Sequence, residues 1–541
     1  MGITRLSYLE HLDLNGVNLS TAADWPHVVN LVPSLRVLHL SGCELATANQ
    51  TLPHLNLSRL LELDLSENYF DQPIASGWFW NLTSITYLDL TANKLYGEFP
   101  NELGHVTSLQ VLRVANCADM RNGIMISHQL KSLCSLEVLD LDYSLLYGNA
   151  TELFVAVHRA NCRSYTCMAT ISMMRGIDIA DISRTGINDR IPHWFTGVFS
   201  NASILRMSNN QLYGGLPENM EIMSVERLDL SSNQLSGQIP PFPFNLTYLD
   251  ISMNNLTGPI HDNFEASKLQ YLYLLSNRLT GHVSESICKC EGLINLILAN
   301  NHFVRELPRL PIWIGNFASL KFLRLGHNMF IGNIPENFTN LGCLQYMDIA
   351  NNGISRDLPR NLMNFKSLRH TYISTCAIPS NGATYFSIFI ANLKGRQLKY
   401  DSIYTLIQMY MMKIIDLSLN NLSSEIPEEI ATLDGLISLN LSWNHFSGNI
   451  SSKLGAMQSL ESLDLSRNKL SGQIPASLPQ MTFLSYIDLS YNNLTGRKPS
   501  DHNLTPFIQH IHLSILETSV FVDHLSKMIV QALIHHSMIT S

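Results

Sequence analysis

The sequence predicts a right-handed solenoid of stacked α/β coils, each contributing one short strand to a parallel sheet on the concave face. Three observations carry this. The pattern L-x-x-L-x-L-x-x-N-x-L recurs along the chain and is cleanest in LESLDLSRNKLSGQIP, with Leu460, Leu463, Leu465, Asn468 and Leu470 in register. The turn asparagines recur at a fixed step, as at Asn420, Asn444, Asn468 and Asn492, 24 residues apart. Many units close on S/T-G-x-I-P, as at Ser236 to Pro240 and Ser471 to Pro475. Alternation along the strand sends Leu463 and Leu465 inward and Glu461, Ser462, Asp464, Ser466 and Arg467 toward solvent. The Asn468 amide can then satisfy backbone groups where the chain turns. One such unit cannot bury its leucines alone, so units must stack.

The pattern is the leucine-rich repeat, and it divides the chain. Residues 1–147 are repeats whose Asn position is held by Val17, Cys43, Asn68, Asn93, Cys117 and Ser144. Residues 148–176 break the period and read as an irregular segment or loop-out. Repeats resume over 177–376, with Thr185, Asn210, Asn233, Asn254, Asn277, Asn301, Asn328 and Asn352 in the slot and a degenerate unit ending at Cys376. Within them, Leu307-Pro308 and Leu310-Pro311 look like two turns run together. Residues 377–411 form a non-repeat island rich in Tyr, Phe and Ile. Four repeats return over 412–497, and 498–541 is a divergent tail containing His502, His510, His512, His524, His535 and His536.

Composition narrows the function classes. Hydrophobic content of 45% against 15% charged residues excludes a disordered chain, and a net charge of −9 argues against nucleic acid. No run of about 18 apolar residues offers a membrane span, and the first residues lack the apolar core of a signal peptide. Of nine cysteines, Cys43, Cys117 and Cys376 fit small buried slots, and Cys134 and Cys343 read as core. The close pairs Cys162/Cys167 and Cys288/Cys290 lack a second pair at zinc-ligand spacing, so neither a metal nor another cofactor is expected. No phosphate-cradling glycine loop or catalytic triad spacing occurs, so no catalytic residue is expected. The Asp of each LDL or LDI (Asp64, Asp89, Asp229, Asp250, Asp416, Asp464, Asp488) recurs with the repeat and reads as a structural ladder. Sequons favour a secretory route. Those at Asn18, Asn56, Asn255, Asn421, Asn440, Asn449, Asn493 and Asn503 are joined by Asn49, Asn81, Asn149, Asn201, Asn245 and Asn337, which fall outside the slot that generates N-x-S/T automatically.

The S/T-G-x-I-P closure is similar to the plant extracellular type of leucine-rich repeat. A long repeat block, an island and four further repeats resemble the plant receptor-like proteins, kinase-less immune and developmental receptors. The island's NLKGRQLKYD, with Lys394, Gly395 and Tyr400, resembles the family's K-G-x-x-x-x-Y signature. The resemblance covers about Leu6 to Arg497. It implies a non-catalytic recognition region at the extracellular face of the plasma membrane, acting in defence or development through a co-receptor kinase. The family's signal peptide, cysteine caps and membrane helix are not found, so the chain reads as truncated at both ends, with the tail resembling a shifted reading frame. Two alternatives stand beside this one: a secreted inhibitor of microbial cell-wall-degrading enzymes, and a non-functional receptor fragment.

The strand residues predicted to be exposed on the concave face are the ligand-binding candidates. They are Tyr248, Tyr271, Tyr273, Phe322, Arg324, His327 and Tyr346, an aromatic stripe with one cation. The acidic ladder beside them suggests a partner with basic or hydroxyl-rich groups, whether protein, peptide or glycan. The island, with Tyr385, Phe386, Phe389, Tyr400 and Tyr404, is expected to leave the solenoid and pack against it.

Overall fold

The computed structural model describes residues 8–495 except 49–51, 53, 118–122, 126–127, 134, 146–176, 193–194, 263, 265, 304–309, 370–375, 377–388, 394–395 and 401–411. Asn49, Asn149, Cys134, Cys162, Cys167, Tyr385, Phe386, Lys394, Gly395, Tyr404, the Leu307-Pro308 turn and the histidine-bearing tail lie outside the described residues. The chain forms two compact units, residues 1–257 with 263–266, and residues 258–262 with 267–541.

In the first unit, three-residue strands follow one per coil: β1 (His11–Asp13), β2 (Val37–His39), β3 (Glu62–Asp64), β4 (Tyr87–Asp89), β5 (Val111–Arg113), β6 (Val138–Asp140), β7 (Ile179–Asp181), β8 (Ile204–Arg206), β9 (Arg227–Asp229) and β10 (Tyr248–Asp250). Each pairs in parallel with the next, without offset. In the second unit the series is β11 (Tyr271–Tyr273), β12 (Asn295–Ile297), β13 (Phe322–Arg324), β14 (Tyr346–Asp348), β15 (Ile414–Asp416), β16 (Ser438–Asn440), β17 (Ser462–Asp464) and β18 (Tyr486–Asp488), again parallel and in register. The middle residue of each strand points inward, so Leu38, Leu63, Leu323 and Leu463 are fully buried. The return segments are mostly 3₁₀ turns, such as Glu336–Asn340 and Glu428–Thr432 behind Pro335 and Pro427. A coil of this length leaves few residues for the return, which suits a tight helix used in short pieces.

The asparagine ladder closes the turns as its chemistry requires. Asn68 donates to the carbonyls of Leu40, Leu65 and Ser66 at 2.8–3.0 Å and accepts from the Cys43 and Leu45 amides. Asn444 does the same with Leu417, Leu441 and Ser442, accepting from Leu422. Where the slot holds Thr, Ser or Cys, the hydroxyl or thiol supplies the donor. Thr185 Oγ1 bonds Ile182 at 2.8 Å, Ser144 Oγ bonds Val114, and Cys43 Sγ bonds Leu14 at 3.1 Å. Burial pushes the Cys117 thiol up to about 11, so it keeps the proton it donates to Leu90.

Three expectations are corrected. β14 pairs directly with β15, and Asn420 bonds back to Ile349 and Ile354, so the degenerate unit ending at Cys376 adds no strand between them. Cys376 instead forms a disulfide with Cys343, with Cα atoms 5.8 Å apart, so neither is a plain core cysteine. Ser462 and Ser466 are buried rather than solvent-facing, and Ser466 Oγ turns back to donate to Asp464 Oδ1 at 2.7 Å. Within the island, Phe389–Leu393 and Arg396–Tyr400 form an antiparallel hairpin that pairs Phe389 with Tyr400.

Candidate functional site

The aromatic and arginine side chains expected to be exposed on the strands are buried. None of Tyr248, Tyr271, Tyr273, Phe322, Arg324 and Tyr346 is more than 8% accessible. Part of the cause is stacking at one strand spacing. Phe322 lies on Tyr346 with ring centroids 6.2 Å apart and planes at 22°. Arg324 covers the Tyr346 ring at 5.7 Å, and its Nε donates to Asp348 Oδ2 at 3.3 Å. Tyr273 Oη accepts from Asn295 Nδ2 at 2.7 Å. In the first unit, Arg227 lies over Tyr248 at 5.3 Å. Of the stripe, His327 alone is exposed, and its Nδ1 meets Asn351 Nδ2 at 2.8 Å.

The aspartate ladder is likewise spent on structure. Asp64, Asp250, Asp416 and Asp464 each hold, through Oδ1, the amide two residues on, where the strand ends. Burial, and then the facing Asp181, pushes the Asp140 carboxyl up to about 6. Burial is also the leading cause of the raised Asp181, Asp229 and Asp464. A surface of free carboxylates awaiting a basic partner is therefore not what these residues make.

The exposed chemistry sits one position before each ladder asparagine. In the second unit these residues are left-handed without being glycine: Ser276, Asn300, His327, Asn351, Leu419, Trp443, Arg467 and Tyr491 have φ of 50–55°. The conformation costs on the order of 1–3 kcal/mol, offset because the amide reaches the next coil, as from Trp443 to Ser466 at 3.0 Å and from Arg467 to Ser490 at 2.8 Å. The repeat imposes the backbone but leaves the side chain free at the solenoid's edge. There the Arg467 guanidinium lies 4.2 Å from the Trp443 ring centroid and 3.9 Å from that of Tyr491. Trp443 and Tyr491 remain 51% and 69% exposed. A groove of about 490 Å³ runs beside them, lined by Asn351, Leu419, Asn421, His445, Arg467 and Lys469 among others, with no carboxylate in its wall.

Sequence reasoning had marked only His327 and Arg467 from this edge and assigned them to the concave face. The signal was present: reading the residue before each slot asparagine gives Leu419, Trp443, Arg467 and Tyr491 in successive coils. Among the sequons, Asn81 and Asn201 are exposed, whereas Asn245 and Asn337 are half-buried. Asn337 Nδ2 donates one of its two hydrogens to Ile312 at 2.7 Å.

Two family profiles match the chain, Leucine rich repeat over residues 33–95 and Leucine Rich Repeat over 224–246, 245–266, 268–290, 319–341 and 459–481. Receptor-like protein EIX2 of Solanum lycopersicum is 35% identical over 384 residues, 59% of this chain and 37% of that protein. Receptor-like protein EIX1, also of Solanum lycopersicum, is 34% identical over 22% of this chain and 12% of that protein, and receptor-like protein 35 of Arabidopsis thaliana is 27% identical over 61% and 28%. The chain thus spans well under half the length of the curated relatives it matches. The same fold occurs in the ectodomain of the Arabidopsis thaliana receptor kinase GASSHO1/SCHENGEN3, solved with CASPARIAN STRIP INTEGRITY FACTOR 2 (TM-score 0.64, 22% identity, 92% of this chain and 63% of that one). It occurs again in the Arabidopsis receptor kinase HAESA, solved with an IDA peptide hormone (TM-score 0.61, 24% identity, 90% and 79%). No described helix is long and apolar enough to cross a membrane.

Proposed function

We propose, from the premise that this chain is a leucine-rich-repeat protein related to the plant receptor-like proteins, that it is the non-catalytic extracellular recognition region of such a receptor. In this reading it binds a protein or peptide ligand in defence or development and passes the signal to a partner kinase at the plasma membrane. Support comes from the kinship with the tomato and Arabidopsis receptor-like proteins and from the ligand-bound state of two proteins sharing the fold, one of them solved with a peptide hormone.

The observation that carries a binding role in this chain is the exposed Trp443–Arg467–Tyr491 stack beside a groove without carboxylates. Trp, Tyr and Arg are the residues enriched at binding hot spots. The two ring centroids lie within 4.2 Å of the guanidinium carbon, and its N–H groups are the route to a partner, a chemistry suited to bidentate carboxylate. We therefore take an acidic peptide segment as the ligand class for this edge. Tyr248 in the first unit, and Tyr271, Tyr273, Phe322, Arg324 and Tyr346 in the second, enter as packed strand residues, with His327 exposed beyond its strand. Lys394, Gly395 and Tyr400 of the island, and glycans on Asn81 and Asn201, belong to the same proposal. A panel of synthetic acidic, neutral and basic decapeptides, titrated against the folded chain and its Arg467→Gln variant, tests it. Preferential binding of the acidic set, lost in the variant, supports the reading; equal binding of all three sets contradicts it.

A further inference from the structure

We propose that His11, Asp13 and His39 form a binding site for a divalent transition-metal ion of the zinc class on the concave face of the first two coils. The parallel register places Asp13 beside His39, and His11 lies two residues before Asp13, on the same face of β1. The three side chains bring one imidazole nitrogen each and one carboxylate oxygen within 4.8 Å of one another. The two imidazoles meet edge-on, with centroids 5.8 Å apart.

The surroundings orient these donors. Asp13 Oδ1 accepts from the Asn15 amide at 2.9 Å, which leaves Oδ2 facing His39 Nδ1 at 3.9 Å. On the far side of the same ring, His39 Nε2 faces Glu62 Oε2 at 3.7 Å. A carboxylate behind a ligating histidine fixes its tautomer and raises its basicity. His39 also stands where neighbouring coils carry the ladder aspartate, Asp13 before it and Asp64 after it. The turn that such an aspartate would cap is served instead by Asn15 Oδ1, which accepts from the Ser41 amide at 2.7 Å. The imidazole is thereby released from the structural duty of its position.

Two imidazoles and one carboxylate suit zinc, nickel or copper and fit magnesium or calcium poorly. Ligand bonds of about 2.0–2.2 Å require the three donors to close further, which rotation of these largely exposed side chains allows. Three protein ligands leave at least one position open on the concave face, where a water or a donor group from a bound partner would complete the shell.

The test is calorimetric titration of the full chain with zinc chloride in a non-chelating buffer, repeated on His11→Gln, His39→Gln, Asp13→Asn and Glu62→Gln. Circular dichroism confirms that each variant is folded. The expected result is one zinc equivalent that disappears in either histidine variant and weakens at least tenfold in Asp13→Asn. Glu62→Gln should weaken it about 10–100-fold. Millimolar calcium and magnesium should not compete. An unchanged number of equivalents and unchanged affinity in both histidine variants would assign the zinc to other histidines of the chain and overturn the proposal. Full displacement by calcium would overturn it equally.

Discussion

The Arg467 guanidinium carbon lies over the Tyr491 ring, 3.9 Å from its centroid, although 24 residues of chain separate the two. The solenoid brings them together because both stand at the left-handed position that precedes a ladder asparagine. An exposed cation–π contact contributes about 0.5–1 kcal/mol. A double-mutant cycle on Arg467→Ala and Tyr491→Ala should return a coupling energy in that range from chemical denaturation. A coupling indistinguishable from zero would mean that the stack is not maintained in solution.

The asparagine ladder makes a sharper demand on stability. Replacing Asn444 with Ala leaves the Leu422 amide without its partner and strips one of two donors from the carbonyls of Leu417, Leu441 and Ser442, which keep Asn420, Asn468 and the Leu419 amide. The orphaned amide alone costs about 1–3 kcal/mol. Hydrogen exchange should therefore accelerate at Leu422 and in the coils on both sides. Asn444→Thr should lose less, because Thr185 already supplies one such donor in its own coil. Equal exchange rates in the two variants would contradict this account of the turn.

Leu463 is fully buried between its neighbours Leu439 and Ile487 in the sheet. Leu463→Asp places a carboxylate there with no partner, at a cost of several kcal/mol. The variant should lose the cooperative melting transition of the last coils. Retention of the wild-type melting curve would refute the repeat register.

The Asp140 carboxyl titrates near 6, above its ordinary 3.8, with burial as the main cause and Asp181 as the next. A raised acid contributes stability that is complete below about pH 4 and is lost as the pH rises through 6. The melting temperature should consequently be higher at pH 5 than at pH 7, by about 1–3 °C. Asp140→Asn should flatten that slope. A wild-type melting temperature that falls steadily from pH 7 to pH 5 would contradict the burial of this pair.

Much of this architecture was legible in the residues because the repeat reports its own geometry. The spacing from Leu463 to Leu465 to Asn468 states which side chains face inward and where the chain turns, and β17 obeys it. Register across a missing period was less legible. The spacing of Cys376, 24 residues past Asn352, mimics a coil, but only three-dimensional pairing shows that Tyr346 sits beside Ile414 and that Cys376 bonds to Cys343. Exposure was least legible. Alternation says that Tyr271 and Phe322 leave the inner core, yet it is silent on what else packs over them, as the Tyr346 ring does over Phe322. The Trp443–Arg467–Tyr491 edge was missed because period-two reasoning stops at the strand. These residues lie past its end, where backbone handedness rather than alternation sets direction.

The claim that this edge recognises an acidic peptide segment is tested most directly by selecting a random decapeptide display library on the immobilised chain and measuring the winners against wild type and Arg467→Gln. The account predicts selected peptides enriched in Asp and Glu, with binding at least tenfold weaker in the variant while its circular dichroism and melting temperature are unchanged. Selected peptides without acidic enrichment, binding the variant as tightly as wild type, would show that recognition lies elsewhere on the chain.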